Sequence, residues 1–124
     1  VQFYVNGVAK TSSSGVTITG TTHDLIIGAT PGYNFFNGHI DEAAIFNSAL
    51  SSSQVTAIYN SGQPADLTSY SPVGWWRMGD GTGDTDSGGG APANTDVIGT
   101  VADQGSGGNN ATGTNGPTYS STTP

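Results

Sequence analysis

Cysteine is absent from these 124 residues, so neither a disulfide nor a thiolate metal site contributes to the fold. Cations are nearly absent as well: Lys10 and Arg77 stand against nine acids, for a net charge of −7. Without a basic patch the chain does not suit the phosphate backbone of nucleic acid, and an anionic membrane surface repels it. No apolar run approaches the ~20 residues of a membrane-spanning helix. There is one glutamate, Glu42, and the two histidines, His23 and His39, are isolated, which leaves little from which to build an acid–base or Ser-His-Asp site.

What remains is a turn-rich composition. Hydrophobic side chains make up 33% of the chain and glycine contributes 20 residues, so the material for a core is thin. The apolar residues nevertheless cluster in blocks of strand length among Ser, Thr, Asn and Gly, which argues for an all-β protein rather than a disordered one. The length suits one domain better than two. Opening directly on strand-like sequence, without a methionine or a leader pattern, the chain reads as a fragment or a processed product.

VQFYVNGVAK alternates, and Asn6-Gly7 supplies the positive φ angles of a two-residue hairpin turn. GVTIT and HDLIIGA read as a further strand pair around TGTT. A turn at Asn37-Gly38 precedes a predicted strand from His39 to Phe46. The clearest helix spans residues 51–60: Ser51 and Gln54 form a capping box, Leu50 and Val55 a staple, Val55, Ile58 and Tyr59 an apolar stripe, and Gly62 a stop. A polar connector follows, then a predicted strand from Val73 to Met78. Alternation there places Trp75 with Arg77 and Val73 on one face and Trp76 with Met78 on the other. GDGTGDTDSGGGAPANTD reads as a long glycine-acid loop, VIGTVAD as one more short strand, and the last residues as turns anchored by Tyr119. The second half looks short of apolar mass for a core of its own.

FYVNGV followed by NGHIDEAAIFNSALSSSQVTAIYNSG resembles the closing half of a laminin-G-like, concanavalin-A-like lectin domain. The pattern is a Y-x-N-G hairpin, F-x-G-x-I-D-E, an apolar strand, A-L-S, and a short helix ending in Y-N-x-G. GWWRM and VADQGSGGNNATGT are similar to the same family's opening strand and the D-x-S-G-N-G-N-x-G-T turn after it. Asp103, Gly108, Asn109 and Thr112 fit that turn; Gly105, Ser106, Gly107 and Ala111 depart from it. The family order is thus reversed, closing half first. The resemblance implies an antiparallel jelly-roll β-sandwich, incomplete or permuted, with residues 1–62 as the closing half, 63–72 as linker and 73–124 as an opening-type strand and glycine-rich turns on the same sandwich. The tail of a longer protein, a span across two tandem domains, and a strand-exchanged unit completed by another copy remain open. The key expectation is that the Trp75-Trp76 ribbon pairs with the Ile45-Phe46 ribbon.

The phrase WWRMGDG with a degenerate turn after it is similar to the C-terminal ends of marine tailed-phage structural proteins, which implies a virion or extracellular surface. The functional expectation is a non-catalytic lectin-like module for assembly, decoration or attachment, in a homo-oligomer or larger assembly and with glycan as a ligand. The alternatives are a purely structural, strand-exchanging subunit and a calcium-dependent bacterial adhesin. Asp41 and Glu42 are adjacent, so on a strand they face opposite ways and make no catalytic pair; bonds to backbone N–H groups at a turn suit them better. Asp80, Asp84 and Asp86, in a flexible glycine loop, offer the hard oxygens Ca²⁺ prefers, and a mobile acidic surface loop is the competing reading. Trp75 and Tyr33 are the residues that would stack on a sugar ring if exposed, with structural packing as the other use. Trp76 reads as buried, and Asp103 as the cap of its turn.

Overall fold

The computed structural model describes residues 1–15, 24–30 and 34–121. Among them are seven short strands, one α-helix and two 3₁₀ turns. All strand pairs are antiparallel, in sheets of two, two and three strands. The protein is all-β with one short helix, consistent with a concanavalin-A-like fold. Two compact units divide the chain: residues 1–38 with 50–65, and residues 39–49 with 66–124.

In the first unit, β1 (Gln2–Val5) and β2 (Val8–Ser12) form the expected hairpin, with Val5 opposite Val8. Asn6 and Gly7 take φ of 51° and 72°, the left-handed pair that a two-residue turn requires. A side chain at position 7 is excluded twice over, because its Cβ would also lie 2.9 Å from the Tyr59 ring. The register slips between Gln2 and Tyr4. There the Gln2 amide donates to the carbonyls of Phe3 (2.9 Å) and Lys10 (2.6 Å). The predicted strand GVTIT lies almost wholly outside the described residues, whereas HDLIIGA, described from Asp24 onward, is corrected: residues 24–29 form no strand and bend at 27–28, where Gly28 takes a positive φ of 80°.

Helix α1 (Ser52–Tyr59) begins at Ser51, whose hydroxyl accepts from the Gln54 N–H at 3.3 Å, while Gln54 Oε1 accepts from the Ser51 N–H at 2.8 Å. The capping box read from the sequence is therefore formed. The stop differs by two residues: Asn60 takes the left-handed cap (φ 45°), and Ser61 and Gly62 continue at positive φ through a 3₁₀ turn. Asparagine tolerates this region because its short polar side chain bonds locally, here to the Pro64 carbonyl at 3.4 Å. No residue of the helix is buried.

The second unit holds the core: Leu67, Trp75, Trp76, Val101 and Tyr119. Strand β3 (Ala43–Ile45) pairs with β4 (Gly74–Trp76) in the register Ala43–Trp76, Ala44–Trp75, Ile45–Gly74. The two expected ribbons do lie side by side, although both strands are shorter than the sequence suggested. Beyond β4 the chain 103–107 adds further backbone bonds, from Gln104 N–H to Trp75 C=O (2.7 Å) and Gly107 N–H to Val73 C=O (2.8 Å). Gly105 fits there because a Cβ would sit 2.9 Å from both the Pro72 carbonyl oxygen and the Gly74 nitrogen.

A three-stranded sheet follows, with β6 (Ile98–Val101) between β5 (Thr85–Asp86) and β7 (Ala111–Thr112). β5 arises within the stretch read as glycine-acid loop and β7 within the turn-rich tail. The apolar mass missing from 73–124 is supplemented by Leu67 and by residues 39–49. Tyr119 is the anchor: its buried hydroxyl lies 3.0 Å from the Thr85 carbonyl and 3.2 Å from that of Thr100, tying the tail to β5 and β6. No helix among the described residues is long and apolar enough to cross a membrane.

Candidate functional site

The chain's only glutamate sits at the entrance to β3, with φ of 49°. Its two carboxylate oxygens are divided between two side chains of the β4 ribbon. The Trp75 indole N–H donates to Oε2 at 2.5 Å, and Arg77 Nε donates to Oε1 at 2.9 Å. The guanidinium also lies over the Trp75 ring, 5.3 Å from its centroid. Alternation placed Trp75 and Arg77 on one face, and Glu42 is what they meet there. The expectation that Glu42 binds backbone N–H groups is corrected: its partners are side chains. The hydrogen bond to Glu42, the strongest influence on Arg77, raises the guanidinium pKa further. Asp41 behaves as expected of a turn residue, accepting the Glu42 N–H at 2.9 Å. Burial first, then the nearby Glu42 and Asp80, push its pKa upward against that bond.

Glu42 and Asp41 thus form no pair of carboxyls facing a common cleft. The ion pair with Arg77 and the indole bond from Trp75 hold the Glu42 carboxylate in a fixed orientation, which suits a structural cross-brace. Trp75 is 5% exposed and presents no face to solvent, so its use in sugar stacking is corrected to packing. Trp76, equally buried, donates its indole N–H to the Asn109 carbonyl at 2.9 Å. Tyr33 lies outside the described residues.

The aspartates of the second unit fasten loops. Asp103 receives the N–H groups of Trp75 (2.9 Å), Gly105 (2.7 Å) and Asn109 (2.9 Å), capping its own turn and gripping β4 at once. Burial opposes its charge, and the backbone N–H donors outweigh it, so its pKa is lowered. Asp84, the one buried charged residue among those described, receives Gly79 (2.8 Å), Gly81 (3.1 Å) and Ala102 (2.7 Å). Asp86 Oδ1 receives Gly88 and Gly90. Asp80 is exposed. Asp80, Asp84 and Asp86 are not brought together, and no group of three His, Cys, Asp or Glu converges on a metal position among the described residues.

The aromatic residues that do face solvent belong to the first unit. Phe35 and Phe36 are 59% and 60% exposed. Phe36 is not loose: its N–H donates to Gly28 C=O at 2.8 Å, and its ring passes so close to Gly38 that a Cβ there would be 2.7 Å away. Asn34 and Asn37 flank the pair, Asn34 at φ 58° with its amide 3.4 Å from Thr30 Oγ1. The adjacent aromatics of NFFN do not distinguish a buried from an exposed loop, so sequence carried no signal for this display.

Neither a curated protein nor a solved structure matches the chain. Residues 1–56 match the family model described as the concanavalin A-like lectin/glucanases superfamily. Over that span, which holds the hairpin, the Phe35-Phe36 segment and the first turn of α1, the chain resembles the concanavalin A-like lectins and glucanases.

Proposed function

We propose that this chain is a non-catalytic, lectin-like module of a virion or other extracellular surface protein, acting in attachment, decoration or assembly. The observation that carries the reading is the superfamily match over residues 1–56, a span that displays Phe35 and Phe36 on a braced segment. An exposed aromatic ring between amide side chains suits a pyranose, whose C–H face stacks while its hydroxyls bond to the amides. The occupied carboxylate of Glu42 speaks for a binding module over a glycosidase. A glycan array run with and without chelator tests this. Binding that persists in chelator and is lost in Phe36→Ala is the expected result. Binding abolished by chelator favours the calcium-dependent adhesin, and no binding on the array favours the structural subunit.

A further inference from the structure

Three Asn-Gly pairs occur in the chain, Asn6-Gly7, Asn37-Gly38 and Asn115-Gly116, with Asp80-Gly81 as their acid counterpart. In such a pair the glycine backbone nitrogen can attack the side-chain carbonyl carbon of the residue before it, since no Cβ stands in the way. Closure needs that nitrogen free of other bonds and swung to the side from which the preceding Cβ projects. A left-handed backbone holds it nearly opposite Cβ, so that conformation blocks the reaction until it opens. Asn6 (φ 51°) and Asn115 (φ 65°) are both left-handed. The turn at Asn6 is closed by the Val5–Val8 register, by the Tyr59 ring beside Gly7, and by the Thr56 hydroxyl on the Gly7 carbonyl at 3.4 Å. Around Asn115, Gly113 N–H bonds to Gly99 C=O (3.1 Å) and Ile98 N–H to Pro117 C=O (2.9 Å), so the turn is pinned on both sides. At Asp80 the nucleophile is already committed: Gly81 N–H donates to Asp84 Oδ2 at 3.1 Å, and a carboxylate is a poor electrophile.

Asn37-Gly38 has none of these locks. Asn37 lies in no strand, helix or hydrogen-bonded turn, its φ is outside the left-handed region, and both residues are exposed. Among the described residues neither the Asn37 amide nor the Gly38 N–H has a hydrogen-bond partner. The neighbouring ring keeps a glycine there: a Cβ at position 38 would lie 2.7 and 2.8 Å from two carbons of Phe36, which disfavours any side chain able to hinder closure. We infer that Asn37 is a modification site, converting spontaneously to aspartate and isoaspartate while Asn6 and Asn115 are protected by their turns. The Gly38 nitrogen gives its proton to solvent base and bonds to Asn37 Cγ; the Cγ–Nδ2 bond breaks and ammonia leaves, giving a cyclic imide. Water then opens the imide at either carbonyl. One opening gives aspartate, and the other gives isoaspartate, in which the main chain runs through the side-chain carbon. Either product adds a carboxylate one residue from Phe36, in a unit whose only Lys, Arg, Asp or Glu are Lys10 and Asp24. Isoaspartate also lengthens the main chain by one carbon where the Phe36 ring meets Gly38. This goes beyond the glycan reading and, being covalent, is read without any ligand.

Incubating the intact, folded chain in mildly alkaline buffer and mapping its peptides by mass tests the inference. Each converted asparagine gains the mass difference between an acid and an amide, and electron-transfer fragmentation separates isoaspartate from aspartate. Asn37 is expected to convert about tenfold faster than Asn6 or Asn115, the ratio that a local opening cost of ~1.4 kcal/mol sets. In concentrated urea the three are expected to convert at rates within about twofold of one another, because the turns no longer hold. Equal rates in the folded chain overturn the inference. A tenfold lead that persists in urea also overturns it, since that lead would come from flanking sequence and not from the fold. Asn37→Gln, whose longer side chain closes the ring far more slowly, is expected to lose the early isoaspartate. Isoaspartate forming at the wild-type rate in this variant would place the labile residue elsewhere and overturn the assignment. A chain that converts at Asn37 yet binds no glycan leaves the modification standing and removes the glycan reading alone.

Discussion

The first unit, neutral and apolar at its surface, has a hairpin and a capped helix but no buried residue among those described; the second, acidic and rich in glycine, has the core. Their difference lies in how backbone groups are tied. In the first unit the bonds are mostly local, a hairpin ladder, a capping box, and Thr56 bonded to Ser52 one turn back, with one reach across the sequence from the Thr56 hydroxyl to the Gly7 carbonyl at 3.4 Å. In the second, carboxylates reach across the sequence to collect N–H groups, 28 residues from Trp75 to Asp103 and 18 from Ala102 to Asp84. Strands of two to four residues cannot organise such loops by ladder bonds alone. The aspartates take over that task and the two tryptophans fill the space they enclose. A low-charge chain can thus hold a core where its charges are concentrated, because Asp84, Asp86 and Asp103 each accept several N–H groups.

The comparison breaks hardest at Trp75. Removing this buried indole leaves a cavity and deprives Glu42 of its closest donor, so Trp75→Ala is expected to lose about 3–5 kcal/mol of stability in the second unit. Urea unfolding followed by Trp76 fluorescence measures it. An unaltered midpoint would mean that β3 and β4 are held by something other than the braced tryptophan.

A smaller loss is expected at Asp103. Three N–H groups lose their acceptor in Asp103→Ala, a cost of about 2–3 kcal/mol, since hydrogen bonds to charged groups exceed neutral ones. The same bonds set a pH dependence. The Asp103 pKa is lowered from 3.8, so its contribution is complete above pH 3.8 and is lost as the pH falls through the lower folded value. Asp41 runs the other way: its pKa is raised by burial, so protonation favours the folded form and relieves a strain present at neutral pH. Acid unfolding of the second unit is therefore expected to set in below pH 3.8, and Asp103→Asn is expected to remove that portion of the slope. Equal slopes in both proteins would show that Asp103 does not couple folding to protons.

The same contrast explains how much could be read from sequence. Asn6-Gly7 and Ser51-x-x-Gln54 were legible because turn and cap chemistry is written in consecutive residues. The pairing of Ala43–Ile45 with Gly74–Trp76 was legible through the resemblance and through alternation around Trp75. β5 and β7 were not, since two-residue strands carry no periodicity and theirs lie among Gly, Asp and Asn. The bond between Glu42 and Trp75 spans 33 residues and has no local signature. Its one available hint was compositional: a sole glutamate, and a sole arginine beside a tryptophan. The exposure of Phe35 and Phe36 was likewise hidden, because aromatic residues in a loop read the same whether covered or displayed.

The smallest effect sharpens the comparison. Ser51 does for α1 what Asp103 does for β4, accepting a backbone N–H through a side-chain oxygen. Ser51, though, is a neutral, exposed acceptor of one N–H three residues away, whereas Asp103 is an ionised acceptor of three. Ser51→Ala is expected to cost about 1 kcal/mol, and only within the helix. Amide exchange at Gln54 and Val55 should speed by roughly fivefold, the factor that ~1 kcal/mol represents, while exchange at Trp75 and Gly105 stays as it was. Were the second unit to loosen along with the helix, the local character assigned to bonding in the first unit would be wrong.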